Sequence, residues 1–179
     1  MKTVIKPYPL LHPVPIVVIG TKNKEKCNFT TIGDIAVAGL NPPLIMLSLH
    51  KNHQATMTLL KTKKLSVNIV TKAMVKGVDY CGVFSGKNID KSEVFPYEMS
   101  DGVPLILGSP INHILQVNTI NKIENRVIVI CDVIKTFIRN DLVMDRKYDF
   151  SQINTLCYGL DNKYYADSKP CGIGYEEWE

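Results

Sequence analysis

The sequence predicts a mainly β protein with a few helices, folded as a closed or partly closed antiparallel barrel of Greek-key type. Three observations predict it. Short, β-branched apolar runs recur along the chain and are separated by turn residues. The segments Asn112 to Ile123 and Arg126 to Ile138 read as one long hairpin, with Glu124-Asn125 at its turn and the second arm the most β-branched run of the chain. Only two stretches have helical character, and two helices among many strands do not make the repeating βαβ pattern of a parallel doubly wound sheet.

Taken in order, Pro15-Ile16-Val17-Val18-Ile19 is a strand buried on both faces, ending at Gly20. The polar Lys22 to Lys26 is a turn, and Cys27 to Thr31 is the next strand. Gly33 interrupts it, and Ile35 to Leu40 is apolar but rich in Gly and Ala. Asn41-Pro42-Pro43 forces an extended connection, because each proline lacks a donor and restricts its predecessor. Leu44 to Leu49 is a core strand. Asn52 can cap a helix from His53 to about Thr62, with Ala55, Leu59 and Leu60 on one stripe and lysines at the C-terminal end. Leu65 to Val70 alternates as a strand, and Thr71 caps a second helix that runs to about Tyr80. From Lys135 to Asp149 the chain turns polar, and Asp149 to Lys163 is mostly loop before Tyr164-Tyr165.

Composition limits what this barrel can do. The 179 residues suggest a single domain, 1–179, long enough to bury roughly 70% of its unfolded surface. The net charge of +4 comes from scattered lysines rather than from a run, and only Phe29 among the early strands could stack a base, so nucleic acid is not an expected partner. No stretch approaches the ~20 apolar residues of a membrane span, and the start has no signal-peptide core; a cytoplasmic protein without a membrane partner is expected. The five cysteines, at 27, 81, 131, 157 and 171, contain no Cys-x-x-Cys pair, so no metal site is expected and the thiols should be free. Cys171 should be the most exposed of them.

The most specialised chemistry lies between Asp79 and Lys91. Gly82 and Gly86 permit backbone turns that aim successive N–H groups at one point, Ser85 adds a hydroxyl, and Lys87 and Lys91 add charge. The stretch is formally neutral, since Asp79 and Asp90 balance the two lysines. Oriented donors rather than bulk charge would then hold an anion, and a single phosphate suits such a cradle. A solvated Gly/Ser/Asn turn after a helix accounts for the same residues.

Several motifs in one order give the chain a resemblance. Pro13 to Thr21, Asn28-Phe29-Thr30-Thr31-Ile32, Asn41 to Leu49, Val67-Asn68-Ile69, and Asp79-Tyr80-Cys81-Gly82 with Ser85-Gly86-Lys87 and Asp90-Lys91 resemble the flavin reductase-like family of FMN-binding split barrels. The resemblance runs from about His12 to Tyr165 and leaves a C-terminal extension at about 166–179. It implies a split β-barrel homodimer that holds FMN near the subunit interface. Asn28, Thr30, Thr31 and Ile32 would line the flavin ring. Ser48, Leu49, His50 and Lys51 would approach the ribityl chain, and Thr56 would meet the phosphate near a helix N-terminus. Asn68, Cys81, Gly82, Ser85, Gly86, Lys87 and Lys91 complete the implied pocket. Where family members often carry an arginine three positions before the residue matching Thr56, this chain has His53.

The resemblance implies an FMN-dependent oxidoreductase that takes electrons from NADH or NADPH, or from a reduced protein such as a ferredoxin. No protein acid or base is nominated as catalytic, because no residue constellation demands one and the flavin carries the chemistry. The other reading is a non-catalytic electron carrier or flavin-storage protein.

Overall fold

The computed structural model describes residues 1–24, 26–145, 147–166, 170–171 and 174. The first strands are β1 (Val14–Pro15), β2 (Val17–Asn23), β3 (Lys26–Ile32), β4 (Ile35–Leu40) and β5 (Pro43–His50). Helix α1 (Gln54–Thr62) leads to β6 (Lys64–Ile69), and a 3-10 turn at Lys72–Met74 leads into α2 (Val75–Val83). There follow β7 (Tyr97–Ser100), β8 (Val103–Ile106), β9 (Ile111–Ile123) and β10 (Arg126–Ile138). The last strands are short: β11 (Val143–Met144), β12 (Lys147–Tyr148), β13 (Cys157–Gly159) and β14 (Lys163–Tyr165).

Seven strands form one antiparallel sheet in the order β3-β2-β6-β9-β10-β5-β4. Its two end strands, β3 and β4, are joined by Gly33 and Asp34 alone. Three virtual bonds of ~3.8 Å cannot cross a flat seven-stranded sheet, so the sheet must curl until its edges nearly meet. No hydrogen-bonded pairing closes the seam among the described residues. The result is a barrel with one split side, as the strand pattern predicts.

The interior is filled by Val17, Ile19, Ile32, Leu47, Leu65, Val117 and Val129 among others, α1 adds Ala55 and Leu59, and β4 contributes only the partly buried Ile35. A second core lies outside the barrel wall, where Val18 and Phe29 pack on Val78 and Cys81 of α2, with Phe95, Ile106 and Leu156. Alternate residues of β2 therefore serve two cores. This is why its apolar run is continuous rather than alternating.

The long hairpin is as predicted, Arg126 pairing with Ile123, although bulges between Ile130 and Cys131 and between Val133 and Lys135 shift its facing parity. Other expectations need correction. The polar stretch at Lys22–Lys26 is not all turn: β2 runs to Asn23 and β3 restarts at Lys26, with Lys24 at φ 53°. Asn52 does not cap α1; His53 stands at the cap, and no side chain bonds the first turn. Thr71 precedes the 3-10 turn without capping it, and pairs as an isolated bridge with Thr155. The presumed loop between Asp149 and Lys163 carries β13, which pairs with β1 and β14 in a small sheet. The β7–β8 hairpin turns on Asp101-Gly102, both left-handed at φ 46° and 85°.

The five cysteines are unpaired, Cys171 being exposed. No helix among the described residues is long and apolar enough to cross a membrane, and no group of three or more His, Cys, Asp or Glu among them could hold a metal ion. Most of the C-terminal extension lies outside the described residues.

Candidate functional site

The split in the barrel exposes one edge of β3, and the N-terminus of α1 and the loop after α2 close around it. An outer cavity of about 670 Å³ is lined by β3 residues Cys27 and Asn28, by Gln54 and Thr58 on one face of α1, and by Gly86 to Lys91. An inner cavity of about 110 Å³ is lined by Thr30, Thr31, His53, Gln54, Cys81 to Gly86 and Lys91. The two share Gln54, Gly86 and Lys91. A third recess of about 300 Å³ continues past Thr31, Gly82 and Val83 to Ile16, Gly33, Asp79, Tyr158 and Tyr164.

Between the first two cavities the walls pinch. A Cβ at residue 86 would fall on Asn28 Oδ1, and would stand 3.4 Å from Gln54 Cβ. Glycine is needed there for space. The reason expected from sequence was a left-handed backbone, but among the described glycines only Gly102 has positive φ. Gly82 likewise sits inside α2 with helical geometry, where a Cβ would make ordinary contact with Thr31 at 3.6 Å. The anion nest of left-handed glycines is therefore absent, and other groups replace it.

Lys91 is the first of them. Its residue is 2% exposed, and its ammonium donates to the carbonyls of Cys81 at 3.1 Å and Phe84 at 3.0 Å, where α2 ends. Among the described residues it forms no ion pair. The acids that neutralise it in the sequence have been taken elsewhere. Asp79 accepts from the Tyr164 hydroxyl at 3.0 Å, and Asp90 pairs with Lys26 at 3.5 Å and caps Ser92. Among the described residues, no carboxylate lines the inner cavity. Burial lowers the Lys91 pKa from the ordinary lysine value, the cost of a buried cation lacking a counter-charge.

The second group is the first turn of α1, whose N–H groups no side chain caps. The third is the Ser85 hydroxyl. Its oxygen accepts the Lys87 N–H at 3.3 Å, leaving the hydroxyl proton for a ligand. Cys81 is no nucleophile here, since burial pushes its thiol up to about 11.

The structure brings Asn28, Thr30, Thr31, Cys81, Gly82, Ser85, Gly86, Lys87 and Lys91 to these linked cavities. It places the other candidates elsewhere. Ile32 and Leu49 belong to the barrel core. Ser48 Oγ accepts Arg126 Nε, and Lys51 Nζ donates to the Glu124 carbonyl. Thr56 is fully buried and donates its hydroxyl to the His50 carbonyl at 2.9 Å, while His50 Nδ1 accepts the Asn52 N–H. Asn68 is fully buried too: its amide donates to the Val18 carbonyl and accepts from Ile106 N and Asn112 Nδ2. Sequence reasoning missed Gln54 and Thr58, although their i, i+4 spacing on a helix signals a shared face.

The model of the flavin reductase like domain matches residues 10–156. The chain belongs to that family. Solved structures agree on the fold of this flavin reductase-like chain. A flavoredoxin from Methanosarcina acetivorans superposes with a TM-score of 0.92 at 22% identity, over 99% of this chain and 97% of that one. The flavoredoxin of Desulfovibrio vulgaris (Miyazaki F) gives 0.89 at 20%, over the whole of both chains. An FMN-binding protein from Thermus thermophilus with bound 1-cyclohex-2-enone gives 0.86 at 19%, over 97% and 99%. Neighbours of this kind make the split barrel the family architecture. A comparison with curated proteins finds no match.

Proposed function

We propose that this flavin reductase-like chain binds FMN and passes electrons through it as a cytoplasmic oxidoreductase, with NADH or NADPH as the donor. The observation that carries the reading is Lys91, a buried ammonium that has no carboxylate partner among the described residues, set beside the uncapped start of α1 in an inner cavity that none of their acids lines. That donor set fits a single phosphate, which supplies the missing charge and accepts from both. The recess that shares Thr31, Gly82 and Val83 with this cavity is walled by Ile16, Tyr158 and Tyr164 as well as Asp79, and offers aliphatic and aromatic surface to a ring system. When bound there, FMN supplies hydride acceptance and one- or two-electron transfer. The residues' part is to fix the phosphate end at Lys91, Ser85 and α1, and to wall the ring end. Free thiols throughout the chain suit a reducing compartment.

The purified protein is expected to be yellow and to release FMN on denaturation. Anaerobic mixing with NADH or NADPH should bleach that flavin in a saturable manner. Stopped-flow spectra with no reduction by either nicotinamide, but fast reduction by a low-potential protein such as a ferredoxin, would make this a carrier instead.

The same reading includes a homodimer. Strand β4 is an end strand of the sheet and presents Val37 and Leu40 exposed to solvent. A second copy would cover this apolar edge symmetrically. Sedimentation should give a dimer at micromolar concentration, and a monomer with FMN fully bound would remove the interface from the site.

A further inference from the structure

His53 enters the inner cavity beside Lys91 and Gln54, at the cap position of α1, yet its side chain does not bond the helix. Its ring nitrogens have no hydrogen-bond partner among the described residues. The ring leans on His50, with centroids 5.3 Å apart and planes tilted by 34°. His50 is itself fixed: its Nδ1 accepts the Asn52 N–H at 3.2 Å, and its carbonyl accepts the His53 N–H at 3.0 Å and the Thr56 hydroxyl at 2.9 Å. The two rings therefore stand on one rigid turn between β5 and α1.

The groups that face His53 come from three other elements as well. They are His50 at the end of β5, Lys91 and Lys87 in the loop after α2, and Arg126 at the start of β10. None is an acid. Partial burial first, and then these neighbours, lower the His53 pKa below the usual histidine value. Without an anion the ring is held neutral near neutral pH, because a further positive charge would have only repulsion to meet.

An entering phosphate reverses that balance. Two negative charges beside Lys91 favour imidazolium over imidazole, and both ring nitrogens can then donate. We propose that His53 is a titratable arm of the anion cavity, which takes up one proton from solvent as a phosphate monoester enters and donates it in a hydrogen bond to that phosphate. The inference rests on the reading of the cavity as a phosphate site, and it adds that binding is linked to pH through one residue. In the balanced step, protein, dianionic phosphate monoester and one solvent proton give the complex, and no covalent bond changes other than the new N–H.

The test is the dissociation constant of FMN and of riboflavin, by fluorescence quenching, from about pH 8 to about pH 5.5 for the wild type, His53→Gln and His53→Arg. The second ionisation of the phosphate itself, near pH 6, weakens binding on the acid side in all three proteins alike, so the ratio of wild type to His53→Gln isolates the ring. That ratio should favour the wild type by on the order of tenfold more at the acid end than at the alkaline end. His53→Arg should keep the advantage of the protonated ring at every pH. Calorimetry in buffers of different ionisation heat should show wild-type proton uptake in excess of His53→Gln near pH 6.5. If FMN outbinds riboflavin but the wild type and His53→Gln share one pH profile, this inference is overturned and the phosphate site stands. If FMN and riboflavin bind alike in all three proteins at every pH, the phosphate site itself fails, and the inference with it.

Discussion

Replacing Lys91 with methionine is expected to weaken FMN binding by about a hundredfold while leaving riboflavin affinity within a few-fold. The side chain keeps its apolar stem in the same buried slot and loses only the ammonium. A hydrogen bond to a charged group contributes roughly 1.5–3 kcal/mol, equivalent to about ten- to a hundred-and-fifty-fold in affinity. The upper part of that range applies because no acid among the described residues lines the inner cavity and the first turn of α1 acts on the same phosphate. The variant also leaves the carbonyls of Cys81 and Phe84 without their donor, so some loss of thermal stability in the apoprotein accompanies it. Riboflavin separates the two effects, since it has the ring and ribityl chain but no phosphate. Equal losses for both flavins would make Lys91 a structural residue of the α2 terminus and not a ligand. There is a pH signature as well. Burial lowers the Lys91 pKa, so the ammonium is lost earlier on the alkaline side than an ordinary lysine's, and wild-type FMN affinity should fall there. Lys91→Met should abolish that alkaline fall.

The largest effect on folding is expected from Gly20→Ala. Gly20 lies in β2 between Phe29 of β3 and Ser66 of β6. An added Cβ would stand 2.5 Å from Ser66 Oγ, 2.7 Å from the Pro104 carbonyl oxygen and 2.9 Å from Pro104 Cγ. The carbonyl cannot retreat easily, because β8 is pinned to the sheet by the Ser66 hydroxyl and, two residues on, by Asn68 and Asn112 at Ile106. Overpacking of this kind costs about 2–3 kcal/mol, which for a chain of this length lowers Tm by roughly 5–10 °C. Gly33→Ala is the control: its nearest neighbours would be Val14 Cγ2 at 3.4 Å and the Pro15 oxygen at 3.6 Å. Calorimetric scans that show the two variants unfolding together would mean the β8 hairpin yields.

Asn68 and Thr56 show where the reading of motifs stopped. Both lie in segments that carry the family resemblance, and both are polar residues at strand or helix ends, where a ligand role and a structural role look the same in sequence. The fold shows where their side chains are placed, both fully buried. Asn68 spends its amide on Val18, Ile106 and Asn112, from three other segments, and Thr56 spends its hydroxyl on His50. The Asp101-Gly102 hairpin was also passed over in the sequence, although two residues that tolerate left-handed backbone between short strands are a local signal for such a turn.

The sequence by itself determined the strand-rich pattern, the long Asn112–Ile138 hairpin, the two helices and the family, because alternation, β-branching and turn chemistry act between near neighbours. Only the tertiary structure decided the charge of the site. Along the chain, Lys87 and Lys91 are cancelled by Asp79 and Asp90. In the fold, Lys26 arrives from 64 residues away to hold Asp90, and Tyr164 arrives from 85 away to hold Asp79. Lys91 is left buried without a counter-charge among the described residues. Gly86, too, is glycine for a reason no local rule contains, since the atom that excludes a side chain there belongs to Asn28 on β3. Steric fit and charge pairing act through space, and the curl that brings β3 and β4 together at the split sets which residues share that space.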